Sequence, residues 1–584
     1  MKKRMLVFIV LLFVASYPAL RALMIPEFYT SHDGETHTAR IANYYLALKE
    51  GQIPPRLAPT LFGNLGFPIF LFIYPLPYLL GAMFHSLGFS FTDAFEIVIG
   101  SSFLLSAITM FLFARKVFGE FPGFIAALFY TWAPYRFSQI YVRGAIAESF
   151  AYIFVPLVLL SLYNIAATQN HRWVGIGSLS LAGLLLSHQV VAFIFLPIFL
   201  GFFLLWLVKA EHKRTAVLKA TGMALLGVMI GAFIYAPSLF ELKYLRFDEL
   251  IDYYNDHFVT VGQLIHSPWS YGFSMPGTND DMSFQVGLTH LLVAALATIS
   301  LGLFLFRTKK AAVRFPLFAM GSLSLAITAL SVGFILELPA VHWLWKHLPF
   351  LDIIDFPWRL LGVTVFGTSL LAAYLVASAG RKVILSAVLL FFVFYANRNH
   401  VRINQTMVRN DAFFLSYQDT ATWRNEFLSK WRQTNRWQHL EKDFRIRRGE
   451  LKVKLIDGKT TSLSFLVEAT DQGILDIHRL YFPGWTVFLD GKPLEIGKGL
   501  EITQDVQTET KESPFTDHSG LLSVNVPPGK HFIEARFTET PVRKVGFILS
   551  LIGMGYALAY ILPKRSLVTA SKTTKPVGRK TTKP

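Results

Sequence analysis

The sequence predicts an all-α, polytopic membrane bundle of about 12 spans, with a C-terminal external β-sandwich domain before the last span. Three observations lead there. The 584 residues are 53% hydrophobic and only 16% charged, with a mean hydropathy of +0.44, where soluble domains carry about a quarter charged residues. Apolar runs of about twenty residues, enough to cross a hydrocarbon core, recur as far as Asn397. From Leu451 the pattern alternates instead, as in Ser462-Leu-Ser-Phe-Leu-Val-Glu, between turns such as Asp457-Gly458, Asp490-Gly491 and Pro528-Gly529.

Met1 to Arg4 are basic, and an apolar run follows from Met5 to Met24. A cleaved signal peptide is the competing reading, but no small-x-small site precedes Arg21. An uncleaved first span with a cytoplasmic N-terminus is therefore expected, which places the next loop outside. That loop, residues 26–94, opens on Ser31-His32-Asp33-Gly34-Glu35-Thr36-His37. Thr36 to Glu50 has helical spacing, and Gly51-Gln52-Ile53-Pro54-Pro55 ends it. Residues 67–88 are apolar, but Pro68, Pro75 and Pro77 oppose a regular helix. The basic loops at Arg115-Lys116, His171-Arg172, Lys209 to Lys219, Arg307 to Arg314 and Arg381-Lys382 all fall inside only if 67–88 does not cross. It is expected as an interfacial or re-entrant segment on the outer side.

The spans are then 5–24, 95–114, 118–133, 146–166, 173–188, 190–208, 217–238, 287–306, 313–335, 358–379, 381–397 and 545–562, with both termini cytoplasmic. Residues 398–543 form the external domain, charged and of helical character to about Arg448, then a β-sandwich from about 451. Residues 564–584 hold seven Lys or Arg and no acid, a basic tail for an anionic inner leaflet. The net charge of +17 belongs with such loops and tails, and no base-reading motif accompanies it, so nucleic acid is not an expected partner. The absence of Cys excludes disulfides, thiolate metal sites and a cysteine nucleophile.

Candidate chemistry gathers on the outer face. Asp33 and Glu35 suit a general base acting on a hydroxyl, or a divalent-cation site with His32 and His37, although the spacing is no zinc motif. The bland alternative is a solvated loop, and the two carboxylates share a direction only if the segment is extended. Arg359, Arg143 and Arg136 sit where spans meet the surface; a guanidinium fork binds two phosphate oxygens at once. Snorkelling, or pairing with Asp355, is the alternative for these arginines. Glu148 follows Arg143 on the same segment. His188 lies between two apolar runs, as a plain turn residue or a site residue. In 239–286, Glu241, Asp248, Glu249, Asp252, Tyr253, Tyr254, Asp256, His257 and Trp269 suit a sugar site or an amphipathic surface loop.

The order of these features resembles the GT-C superfamily of polyprenyl-phosphate-dependent glycosyltransferases: a short first span, a carboxylate-bearing external loop, a Gly-Phe-Pro…Tyr-Pro-Leu-Pro-Tyr segment (66–78), then a bundle. More closely, His32-Asp33-Gly34-Glu35-Thr36-His37, Gly51 to Arg56, Tyr141 to Glu148, Leu186-Ser187-His188 and Phe356-Pro357-Trp358-Arg359 resemble bacterial membrane proteins labelled "6-pyruvoyl-tetrahydropterin synthase-related". Tyr481 to Trp485, Asp490-Gly491-Lys492 and Val526 to His531 resemble the external domain of YfhO-like proteins. A soluble pterin synthase needs a compact zinc site, for which nothing here provides.

The superfamily resemblance implies transfer of a hexosyl or pentosyl group from a polyprenyl-phosphate-linked donor to a glycan, lipid or protein hydroxyl at the outer face of the cytoplasmic membrane. It makes Asp33 or Glu35 the base, with Arg359 and Arg143 on the donor phosphate. His32, His37, His188, Glu148, Asp355, Tyr253 and Trp269 then line the substrate. Gly34 separates two acids that are adjacent in many superfamily members, which leaves both as candidate bases and a divalent cation as an open cofactor. Two rivals remain in view: a transporter or flippase of lipid-linked glycans, which needs ionisable groups at mid-membrane, and a non-catalytic scaffold presenting the external domain.

Overall fold

The structure, a computed structural model, describes residues 2–246, 253–277, 279–306, 311–422, 426–432, 443–494 and 520–562. Asp248, Glu249, Asp252, the basic run starting at Arg307 and the tail from 563 lie outside the described residues. The chain is mostly helical up to Asn397 and forms β-sheets after it.

Among the described residues, seven helices are long and apolar enough to cross a membrane: Lys3–Leu23, Phe91–Phe118, Ile146–Thr168, Gln189–Leu207, Pro316–Gly333, Pro357–Ser378 and Pro541–Ile561. An eighth crossing arises if Lys213–Ile230 and Ala232–Tyr244, bent by 72°, count as one span. Arg172–Ser187, Leu288–Phe304 and Lys382–Asn397 are apolar but shorter. Glu120–Thr131, at the place expected for a span, has 12 residues, about 18 Å of helix against a core of about 30 Å. Residues 67–88 form a 3-10 turn, Pro68–Leu71, and an 11-residue helix, Leu76–Ser86, each entered through a proline.

The last helix packs through a stripe of small residues, Gly546, Ser550, Gly553 and Ala557. A Cβ at Gly546 would stand 2.6 Å from the Ala232 carbonyl oxygen, and one at Gly553 2.9 Å from Met229 Cβ. Small residues let helix backbones approach this closely where lipid offers no hydrophobic drive. Buried Arg543 donates from Nε and Nη2 to Glu241 Oε2 at 2.9 and 2.8 Å, so Glu241 ties the bent pair to the last helix.

Residues 398–543 depart from expectation in two ways. The strands of the two larger sheets begin at Phe444, and the stretch before them holds the two-residue strand Thr406–Met407 and one short helix, Asp411–Leu415, among the described residues. Two antiparallel sheets follow, one of five strands and one of three. Leu463, Phe465, Val467 and Ile533 from the first share an apolar core with Leu475, Ile477, Leu522 and Val524 from the second. This region docks on the first loop. Arg56 Nε donates to Glu539 at 2.8 Å, Thr460 Oγ1 to Glu50 at 3.0 Å, and the Leu480 amide to the Leu65 carbonyl at 2.8 Å.

Candidate functional site

The site is built where the first loop meets the segment 134–148. Ala133 is extended and Pro134 opens a short helix, Pro134–Phe137, followed by a π turn at Ser138–Val142. A π turn adds a residue to a helix and re-aims the side chains on it. Gly144 closes the segment at φ +62°; a Cβ there would stand 2.4 Å from Ser31 Oγ and 3.0 Å from the Gly34 nitrogen. The loop therefore lies directly on the π turn. The His32 amide donates to the Val142 carbonyl at 3.0 Å, and the Asp33 amide to the Arg143 carbonyl at 2.9 Å.

Glu148 is the hub beneath. It is 2% exposed and takes four donors. Oε1 accepts from Tyr135 Oη at 2.5 Å and Gln139 Nε2 at 2.8 Å. Oε2 accepts from Arg143 Nη2 at 2.8 Å and Arg359 Nη1 at 2.9 Å. Arg359 reaches the hub because Phe356 is extended and Pro357 starts a 3-10 turn, Pro357–Leu360, at the mouth of a membrane helix. Its Nη2 also donates to Asp355 Oδ2 at 3.0 Å. Arg143 lies over the Trp358 ring at 4.7 Å, and fully buried Arg136 lies over Tyr152 at 4.6 Å while donating to Gln139.

His188 joins the cluster from another helix end. Its ring caps Gln189–Leu207: the Val191 amide donates to Nδ1 at 3.3 Å. Nε2 stands 3.4 Å from Arg359 Nη1. Burial, and then the Arg359 guanidinium, push this imidazole down to about 3. It therefore stays neutral, with one ring nitrogen facing the Val191 amide and the other facing Arg359. The Tyr74 ring stacks on His188 at 5.2 Å and on Tyr78 at 5.8 Å. Tyr78 Oη then meets His37 Nδ1 at 2.9 Å and accepts from Arg40 Nη1 at 3.1 Å. One chain of contacts thus runs from Arg359 through His188, Tyr74 and Tyr78 to the helix that Asp33 begins.

Asp33 occupies the N-cap of Gly34–Lys49, and its carboxylate makes no capping bond. It acts electrostatically on His32 and Tyr78. Burial holds His32 below its usual range against the pull of Asp33, and the ring stacks on Phe273 at 4.2 Å with Nε2 3.1 Å from the Tyr271 carbonyl oxygen. Burial pushes His37 well down, helped by Arg40, His188 and Arg143 around it.

The helix starts at Gly34, two residues before the expected Thr36, so Asp33 and Glu35 do not share a direction. Glu35 pairs with Arg409 at 2.8 Å, outside the Glu148 cluster. Tyr253 lies in the 3-10 turn Tyr253–Asp256. Trp269 packs on His400 at 4.6 Å, with its buried Nε1 lacking a hydrogen-bond partner. Among the described residues, no three His, Asp or Glu side chains form a metal-binding group.

Arg359, Arg143, Glu148, Asp355 and His188 thus form one cluster. Tyr74, Tyr78, Arg40 and Gln139 belong with it, and the sequence reading passed over them. The signal for the tyrosines was their place on either side of Pro75-Leu76-Pro77.

No family model matches the chain, so neither of the two finer resemblances gains support from that comparison. An uncharacterized protein of Lactococcus lactis subsp. cremoris (strain MG1363) is 23% identical over 248 residues, 40% of this chain and 40% of its own length. Among solved structures, the mycobacterial arabinofuranosyltransferase AftD aligns over 68% of this chain and 26% of its own, at 13% identity and a TM-score of 0.42. The Archaeoglobus fulgidus oligosaccharyltransferase complex with zinc and sulfate aligns over 70% and 53%, at 14% identity and a TM-score of 0.38. This chain spans less than two thirds of each of these proteins. Likenesses this distant do not assign a chemistry to it.

Proposed function

We propose that this chain is an integral-membrane glycosyltransferase of GT-C type. It moves a sugar from a polyprenyl-phosphate-linked donor to an acceptor hydroxyl at the outer face of the cytoplasmic membrane. The 12-span count, the cytoplasmic termini and the external β-sandwich belong to this reading, as does a glycan, lipid or protein acceptor. Docking of the sheets onto residues 50–65 supports placing them on the same side as Asp33.

One observation carries the proposal. His188 Nε2 and Arg359 Nη1 face each other at 3.4 Å, beside a buried carboxylate. Around them Arg143 and Arg359 meet Glu148 and Asp355, and a third guanidinium, Arg136, is held alongside by Gln139. More guanidiniums than carboxylates, with an imidazole edge beside them, suit a phosphate oxygen. In this reading Asp33 takes the proton of the acceptor hydroxyl. The hydroxyl oxygen attacks the anomeric carbon, the bond from that carbon to the phosphate oxygen breaks, and polyprenyl phosphate leaves on Arg359 and His188. Preorganised donors of this kind stabilise charge as it develops.

Asp33→Asn tests it, with turnover of purified protein on lipid-linked sugars and the envelope glycan of cells as readouts. Loss of a general base lowers turnover by about 10²–10⁴-fold. Normal glycan at normal protein level would instead favour the scaffold.

A further inference from the structure

A second feature lies outside this cluster. Between the first helix, Glu120–Thr131 and Lys382–Asn397 runs a groove of about 1140 Å³. Its walls are apolar: Phe8, Leu11, Phe124, Trp132, Leu390 and Phe394. Phe8 packs on Phe121 and Phe124, and Trp132 donates to the Ala15 carbonyl and packs edge-on to Phe394. The first helix and Glu120–Thr131 therefore run in the same direction, with their later residues toward one end of the groove.

That end carries Arg21, Arg398 and Arg402. It lies opposite Lys2, Lys3 and Arg4, so the positive-inside rule does not account for basic residues at both ends. From Arg21 inward to Phe8 the chain advances by about 20 Å. One leaflet of a core about 30 Å thick is about 15 Å deep, so this length takes an acyl chain with its glycerol ester rather than a long polyprenol.

We propose that this groove holds an anionic diacyl phospholipid of the surrounding bilayer, its acyl chain against Phe8 and Phe124 and its phosphate on Arg21, Arg398 and Arg402. A guanidinium fork takes two phosphate oxygens, and the wall residue Trp132 leads directly into the segment that bears Arg136 and Glu148. The site is separate from the donor site and does not depend on the transferase reading.

The test uses full-length protein in nanodiscs of equal phosphatidylglycerol and phosphatidylcholine, released into detergent and weighed by native mass spectrometry. The wild type retains phosphatidylglycerol over phosphatidylcholine by about tenfold or more, on the contribution each basic residue makes at a lipid surface. The triple variant R21Q/R398Q/R402Q brings the ratio to about one, whereas R21K/R398K/R402K keeps most of it. Val14→Trp, which fills the groove without touching the arginines, lowers total retained lipid. A wild type without preference, a glutamine triple with undiminished preference, or full retention in Val14→Trp would each overturn the assignment. If the glutamine triple fails to elute as a single species, the wild-type ratio and Val14→Trp decide alone.

Discussion

Glu148→Gln isolates the charge of the hub from its shape. Glutamine keeps the volume, but one oxygen becomes an NH₂. The Oε1 side faces Tyr135 and Gln139, and the Oε2 side faces Arg143 and Arg359, so every amide orientation sets the NH₂ against two donors. The cheaper orientation turns the oxygen to the arginines, because the tyrosine hydroxyl can rotate, while Gln139, held by Arg136, loses its acceptor. What remains lost is the negative charge under two buried guanidiniums. Removing one partner of a buried pair costs about 3–5 kcal/mol. The thermal midpoint of purified protein should fall by roughly 5 °C or more. A double-mutant cycle with Arg359→Gln should show coupling of about 1–3 kcal/mol, the double variant being less damaged than the sum. An unchanged midpoint for Glu148→Gln, or strict additivity with Arg359→Gln, would refute the hub.

Other outcomes follow from the same geometry. Glu35→Gln removes a pair whose side chains are about 30% exposed, worth under about 1 kcal/mol; its turnover should stay within about twofold of wild type, which separates it from Asp33→Asn. Gly144→Ala puts a methyl group 2.4 Å from Ser31 Oγ at φ +62°; a loss of about 1–3 kcal/mol and impaired turnover should appear together in melting and activity measurements, and normal values of both would show that the loop does not rest on the π turn. His188 titrates near 3 when folded and near 6.5 when unfolded. Its neutral form favours folding fully above pH 6.5, and below that the unfolded chain binds the extra proton. Stability should thus decline by up to about 1.4 kcal/mol per pH unit between 6.5 and 3. His188→Gln should flatten that slope in melting scans, and an unaltered slope would count against a buried neutral imidazole.

The bundle was legible because apolar length and loop charge are local properties. Most expected spans fall on one helix, but 217–238 falls on a pair bent by 72°, and Glu120–Thr131 and three others are too short to cross unaided. The cluster was legible in its members, since Arg143, Glu148, His188 and Arg359 all sit at the ends of apolar runs where polar groups need a reason. Its pairings were not. Arg409 lies 374 residues from Glu35, and no periodicity connects them. Tyr74 read as part of an apolar run because its ring is mostly hydrocarbon, and only folding brings it onto His188. The direction of Glu35 depended on Asp33 capping a helix at Gly34, a register that one or two residues decide.

The first loop is completed by distant chain. Phe28–Tyr29 pair with Thr406–Met407, the Thr30 amide bonds the Gln405 carbonyl, and Arg409 meets Glu35. During synthesis at 5–20 residues per second, roughly 20–75 s separate the emergence of the two halves. Throughout that interval the ribosome is still delivering membrane helices, and the segment around Asp33 waits without its strand partner. Maturation of this loop is therefore a late event in biogenesis, and a chain terminated before residue 405 would insert its first spans yet leave Phe28–Thr30 and Glu35, on either side of Asp33, without their partners.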